Sequence, residues 1–97
     1  MISVEKACEL LMEHCKGYSY VSAIYELDDL YLIGLITEDG YIVSDGLHSV
    51  NKETGELGAF CFTRENAMNY KNNKKEIEIP EKYRYDGEII YGWNKNE

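Results

Sequence analysis

The residues of this chain best suited to bond-making chemistry are His14, His48, Cys8, Cys15 and Cys61. A cysteine nucleophile needs a base or a cation beside it to be populated as thiolate at neutral pH, so a Cys/His pair would be the signature. Cys15 falls on the apolar stripe of an N-terminal helix and Cys61 in an aromatic strand beside Phe60 and Phe62, placements that suit packing. The chain has no H-E-x-x-H, no glycine-rich phosphate loop and no C-x-x-C. Three cysteines without close pairs form neither a zinc site nor an even disulfide set. Cys8 and Cys15, on one helix, would stand about 10 Å apart, too far for a disulfide. The pattern points away from an enzyme, a metal or a cofactor, and toward reduced thiols in the cytoplasm.

Carboxylates are the other candidates: Glu26 with Asp28 and Asp29, Glu38 with Asp39, then Asp45, Glu53 and Glu56. Acids at turns bind calcium when a twelve-residue loop alternates them, and no such loop is present, so hydrated turn residues are the competing reading. Their distribution is the informative feature. Eighteen acids against ten bases give a net charge of −8. Residues 1–60 hold eleven acids and three bases, whereas residues 61–97 hold seven of each. A field of that sign repels phosphate backbones and anionic lipid, and it favours encounter with cationic surfaces. Solubility alone is the alternative explanation of the charge.

Ninety-seven residues suffice for one domain. The expected division is a core over 1–80 and a tyrosine-rich segment over 81–97. An apolar share of 44% with 29% charged residues places the chain outside the regime of disorder. No run approaches about 18 apolar residues, so neither a membrane span nor a signal peptide is expected.

The elements that position these residues follow from periodicity. Val4, Ala7, Cys8, Leu11 and Cys15 recur at helical spacing, with Ser3 as cap, Glu5 in the first turn and Gly17 as stop. Residues 18–27 and 30–37 read as strands around the turn Asp28-Asp29, the second apolar on both faces and therefore central. In the first, Val21, Ala23, Tyr25 and Leu27 share one face by strict alternation. Two readings of the next stretch stay open: a long third strand to Asn51 bulged at Asp45-Gly46, or an irregular connection over 38–46 and a strand over 47–51. Lys52-Glu53-Thr54-Gly55 makes a hairpin turn into a fourth strand over 56–62. Thr63 caps a short second helix from Arg64 to about Asn72, with Ala67, Met68 and Tyr70 as its apolar members. Glu76 to Ile79 alternates as an edge strand stopped by Pro80, and Tyr83-Arg84-Tyr85 with residues 88–91 reads as a hairpin about Asp86-Gly87. The class is α+β: an N-terminal helix on a curved antiparallel sheet of about four strands, a short second helix and a docked C-terminal segment.

A meander of this order puts the Asp28-Asp29 turn and the 52–55 turn at the same end of the sheet, with Glu38-Asp39 at the other. A local acidic patch of Glu26, Asp28, Asp29, Glu53 and Glu56 follows, joined by Asp45 only under the long-strand reading. Tyrosine, with nine copies, serves both half-buried sheet positions and recognition surfaces. Tyr20 and Tyr31 are the candidate contacts, on strand faces expected to be open.

The segment Val50-Asn51-Lys52-Glu53-Thr54-Gly55-Glu56 resembles the hydrophobic-Asp-Lys-x-Thr-Gly-Glu hairpin of the immunity protein 35 family of bacterial polymorphic toxin systems. The order of elements is similar from about Ser3 to Phe62. Asn51 stands where the family pattern has aspartate, and the tyrosine-rich tail has no counterpart in it. The resemblance implies a non-enzymatic cytoplasmic protein that binds and neutralises a cognate toxin domain, expected to be basic. PepSY-type domains share the acid and Thr-Gly turn more loosely, and they imply the alternative of a chaperone-like module for a peptide or small ligand.

Overall fold

The structure, a computed structural model, describes residues 1–42 and 47–91. Helix α1, Val4–His14, starts where the Ser3 hydroxyl accepts the Lys6 N–H at 3.1 Å, and Glu5 lies in its first turn. Its apolar spacing buries Ala7, Cys8 and Leu11 together. Burial, with the Glu5 carboxylate nearby, pushes the Cys8 thiol up to about 11, so it stays protonated and serves as packing.

Strands β1, Tyr18–Leu27, and β2, Leu30–Thr37, form a hairpin about Asp28-Asp29. Asp28 takes φ +57°, a left-handed conformation that aspartate tolerates better than most residues. Residues 31–36 of β2 are all buried, as a central strand requires. Strand β3, Tyr41–Ile42, is followed by β4, Leu47–Asn51, which pairs antiparallel with β2. Strand β5, Leu57–Phe60, returns beside β4. Helix α2, Arg64–Asn73, leads to β6, Lys75–Ile77, on the far edge against β1. The sheet order is β5-β4-β2-β1-β6 with every neighbouring pair antiparallel, one strand more than expected because the edge segment joins the same sheet.

One face of the sheet lies under α1, where Val21, Ile24, Tyr31, Ile33 and Val50 join the helix residues in one cluster. Strict alternation in β1 therefore fails. The ladder shifts between Val21 and Ala23, so Val21 pairs with Leu35 and Ile24 with Ile33. A bulge adds one residue and reverses the phase beyond it, which brings Val21 and Ile24 to the helix side and sends Tyr25 to the other. On that outer side Tyr25 meets Tyr70 of α2 edge-on at 5.4 Å, and Tyr70 also stacks on Phe60 and Phe62. Burial, reinforced by Tyr25, holds the Tyr70 hydroxyl up at about 12. Met68, expected among the apolar contacts of α2, is exposed.

The tail departs from the expected hairpin. A 3-10 turn, Glu81–Tyr83, buries Tyr83 against the core, and β7, Ile90–Tyr91, pairs in parallel with β3. Tyr41 and Ile42 thus pair with the tail in a separate two-stranded sheet, so the strand beside β2 is 47–51 as the second reading has it, but the 38–46 connection contains a strand of its own; residues 43–46, Asp45 among them, lie outside the described residues. The tail prefers this arrangement because it satisfies β3: Ile90 N–H donates to the Gly40 carbonyl at 2.8 Å, and the Tyr85 ring rests on Tyr20 at 5.1 Å. Gly40 has φ +93°, and a Cβ there would press on the Tyr85 ring. Gly40→Ala should therefore cost about 1–3 kcal/mol and release the tail, while the β1–β2 core holds. Hydrogen exchange should show faster exchange at Ile90 with Ile24 and Ile33 unchanged; equal loss at all three would mean that the tail and the core open together.

Candidate functional site

The two acidic turns do meet, and Lys52 is what joins them. Its N–H donates to the Asp29 carbonyl at 2.9 Å, and its own carbonyl accepts the Ile2 N–H at 2.8 Å. Its ammonium reaches the Glu26 carboxylate at 2.5 Å and lies 6.0 Å from the centre of the Tyr31 ring. The Lys52 side chain is only 12% exposed, so the pair is sheltered from solvent on that side. The Lys52 bond, with help from Lys75 directly across the ladder, holds the Glu26 carboxyl below its ordinary range against a desolvation penalty. The same bond raises Lys52.

This pairing sorts the expected site residues. Glu26 is spent internally, its charge offset by Lys52. Asp28, Asp29, Glu53 and Glu56 are exposed at the same end of the sheet, and Asp28 accepts a hydrogen bond from the Asn69 amide at 3.0 Å. Glu38 and Asp39 are exposed past the opposite end of β2. Tyr31 requires correction as a contact residue. Its strand face is the one under α1, where it is 5% exposed and donates its hydroxyl to the Ile2 carbonyl at 3.1 Å, leaving no ring surface for a partner. Tyr20 is half-buried with its ring against Tyr85.

The hairpin turn is built by Asn51, whose side-chain oxygen accepts the N–H groups of Glu53 at 2.8 Å and Thr54 at 3.0 Å. Either aspartate or asparagine supplies that acceptor. Thr54 caps the return through its hydroxyl to the Glu56 N–H at 3.1 Å, and Gly55 at φ +79° closes the turn. The sequence pattern does not show the basic half of this site, because Lys52 reads there only as a turn residue. Its signal was the position of a lone lysine among five acids.

A second feature is a cavity of about 300 Å³ at the C-terminal end of α1, lined by Leu11, His14, Cys15, His48, Leu57, Gly58 and Ala59. The fold thus brings His48 of β4 to the same space as the adjacent His14 and Cys15 at the end of α1. Burial first, and the facing His14 second, lower the pKa of His48, so it is neutral at pH 7. Cys61 differs from expectation: β5 ends at Phe60, and with Phe60 and Phe62 stacked at 4.9 Å the intervening thiol is exposed. Among the described residues no group of three or more His, Cys, Asp or Glu has the arrangement to hold a metal ion. No helix among them is long and apolar enough to cross a membrane.

Two variants test this geometry. Asn51→Ala should lose about 1 kcal/mol in urea unfolding while Asn51→Asp keeps wild-type stability, and equal loss in both would remove the acceptor argument. A histidine depressed by folding binds fewer protons folded than unfolded, so its contribution is intact above about pH 6.5 and is lost as pH falls. Melting temperatures across pH 5–7.5 should decline more steeply for wild type than for His48→Gln.

Comparison with family models, with curated proteins and with solved structures gives no match to this chain.

Proposed function

We propose that this chain is a non-enzymatic immunity protein that binds a basic toxin domain and blocks its active site or substrate channel. The single observation that supports this reading best is the convergence of Asp28, Asp29, Glu53 and Glu56, exposed, on one end of the sheet, held there by Lys52. Four carboxylates fixed on two hydrogen-bonded turns present a preorganised negative surface, which speeds encounter with a cationic partner and selects against anionic ones. The resemblance of the 50–56 hairpin to the immunity protein 35 family supplies the biological role. Binding strength has to come from apolar contacts beside the charges. Asn69 links Asp28 to α2, which carries the exposed Met68 and borders the exposed Phe62.

The alternative, a module for a peptide or small ligand, has the cavity near His48 in its favour, at the lower end of the volumes that hold small molecules. Co-expression with a candidate toxin domain taken from a neighbouring reading frame separates the two. Immunity predicts restored growth and a tight complex whose formation weakens with salt; no rescue and no complex would reject it.

The charge argument fixes a rate effect. Neutralising the patch with Asp28→Asn, Asp29→Asn and Glu53→Gln keeps the left-handed turn and removes three charges. Association should slow about tenfold at low salt with little change in dissociation. Stopped-flow mixing at two salt concentrations reads both, and an effect confined to dissociation would mean that the patch is misplaced.

A further inference from the structure

Helix α1 is held unequally at its two ends. Its start is tied to the sheet: the Ile2 N–H donates to the Lys52 carbonyl at 2.8 Å, the Tyr31 hydroxyl donates to the Ile2 carbonyl at 3.1 Å, and Ser3 caps the first turn. Its middle buries Ala7, Cys8 and Leu11. Its end is held less, with Met12 and Cys15 only partly buried. There the cavity of about 300 Å³ lies between the last turn and the strands, with His14 and Cys15 on one side and His48, Leu57 and Ala59 on the other. A void of this kind forfeits the close contacts that fix the rest of the helix. Just beyond, Gly17 takes φ +95° with no atom within 4 Å of where a Cβ would stand, so the chain has room to swing.

The charges around this cavity are unbalanced. Two imidazoles line it and, among the described residues, no carboxylate does. His48 faces it from β4 on the same side as Val50 of the core, and its partners across the ladders are Ile33 of β2 and Ala59 of β5, neither of which can pair with a charge. Cys15 is the other titratable group there, and a thiol is no counter-ion. Glu13 and Lys16, next along the chain, are exposed and do not line the space. Burial and the facing His14 already disfavour charge on His48 in the closed form. Separating the helix end from the strands relieves both, because each ring then regains water.

We propose that α1 is an acid-sensitive lever: when His14 and His48 are both protonated, its last turn lifts from β4 and β5 and uncovers the Cys15 thiol, while its first turns stay in place. No covalent bond changes, and the proton taken up resides on the His48 ring. Opening therefore grows more favourable as pH falls below about 6.5, the ordinary histidine value that His48 regains once solvated. The cavity lies away from the acidic turns, and the lever does not rest on the toxin-binding reading.

Thiol labelling tests this with 4,4′-dithiodipyridine, which reacts with thiols in acid as well as at neutral pH. In a Cys61→Ser chain the exposed thiol is gone, leaving half-buried Cys15 and buried Cys8 as the internal control. Protection is the labelling rate in the urea-denatured chain divided by the rate in the folded chain at the same pH, read for each cysteine by mass spectrometry of its peptide. At Cys15 protection should fall about tenfold between pH 7.5 and 5, the order of change that one proton linked to a local opening allows, while Cys8 stays protected. Adding His48→Gln should leave Cys15 protection flat across that range. Adding His14→Gln instead should shrink the fall, and since His14 is exposed this variant keeps the fold even where a change in β4 disturbs it. Cys15 protection that does not vary with pH, that falls as steeply in both histidine variants, or that falls together with protection of Cys8 would overturn the proposal.

Discussion

The architecture at the acidic end of this molecule depends on Lys52, which is bonded through its N–H, its carbonyl and its ammonium to three parts of the chain: the β1–β2 turn, the segment before α1, and β1. A cation is required there. Two hairpin turns rich in carboxylates, brought to one end of a sheet, repel one another, and the ion pair between Lys52 and the partly exposed Glu26 offsets part of that repulsion. The remaining acids point outward, where water solvates them and a partner can reach them. Glu26 is thus spent on the ion pair with Lys52, while Asp28, Asp29, Glu53 and Glu56 stay exposed.

The two faces of the sheet both bury aliphatic side chains, and the outer one adds an aromatic cluster. Under α1 the packing is aliphatic and fully buried, built on Leu11, Ile24, Ile33 and Val50. The outer face carries the buried Leu32 and Ile36 and an aromatic cluster in which Tyr70 meets Tyr25 and Phe62 edge-on and Phe62 meets Phe60, with the Lys74 ammonium 4.5 Å from the centre of the Tyr70 ring. The bulge between Val21 and Ala23 creates this division, since without the extra residue Tyr25 would face the helix. Aromatic surface thus lies on the same side as the Asp28–Asn69 contact, which places apolar contact area next to charge.

The order of elements was legible in the sequence because it rests on local signals. Helical spacing with a Ser3 cap, the central run 30–37 and the Asn51 turn each have a short-range cause. The acidic convergence was legible too, since it follows from the parity of an antiparallel meander. Three things were not. The phase of β1 depends on a bulge that no residue type announces, and the burial of Tyr31 follows from that phase and from the N-terminal segment laid across it. The path of the tail depends on a long-range choice, in which the edge of Tyr41 and Ile42 competes with a local hairpin and wins. The meeting of His14, Cys15 and His48 depends on where α1 ends over β4 and β5.

The central claim is that the sheet end bearing Asp28, Asp29, Glu53 and Glu56 is the surface a basic polypeptide covers. Amide hydrogen exchange of the chain alone and in complex with the proposed toxin domain tests it directly. Slowed exchange concentrated at residues 27–30 and 52–56 is the predicted footprint. Slowing confined to the first turn of α1 or to the tail, with both acidic turns unchanged, would contradict it.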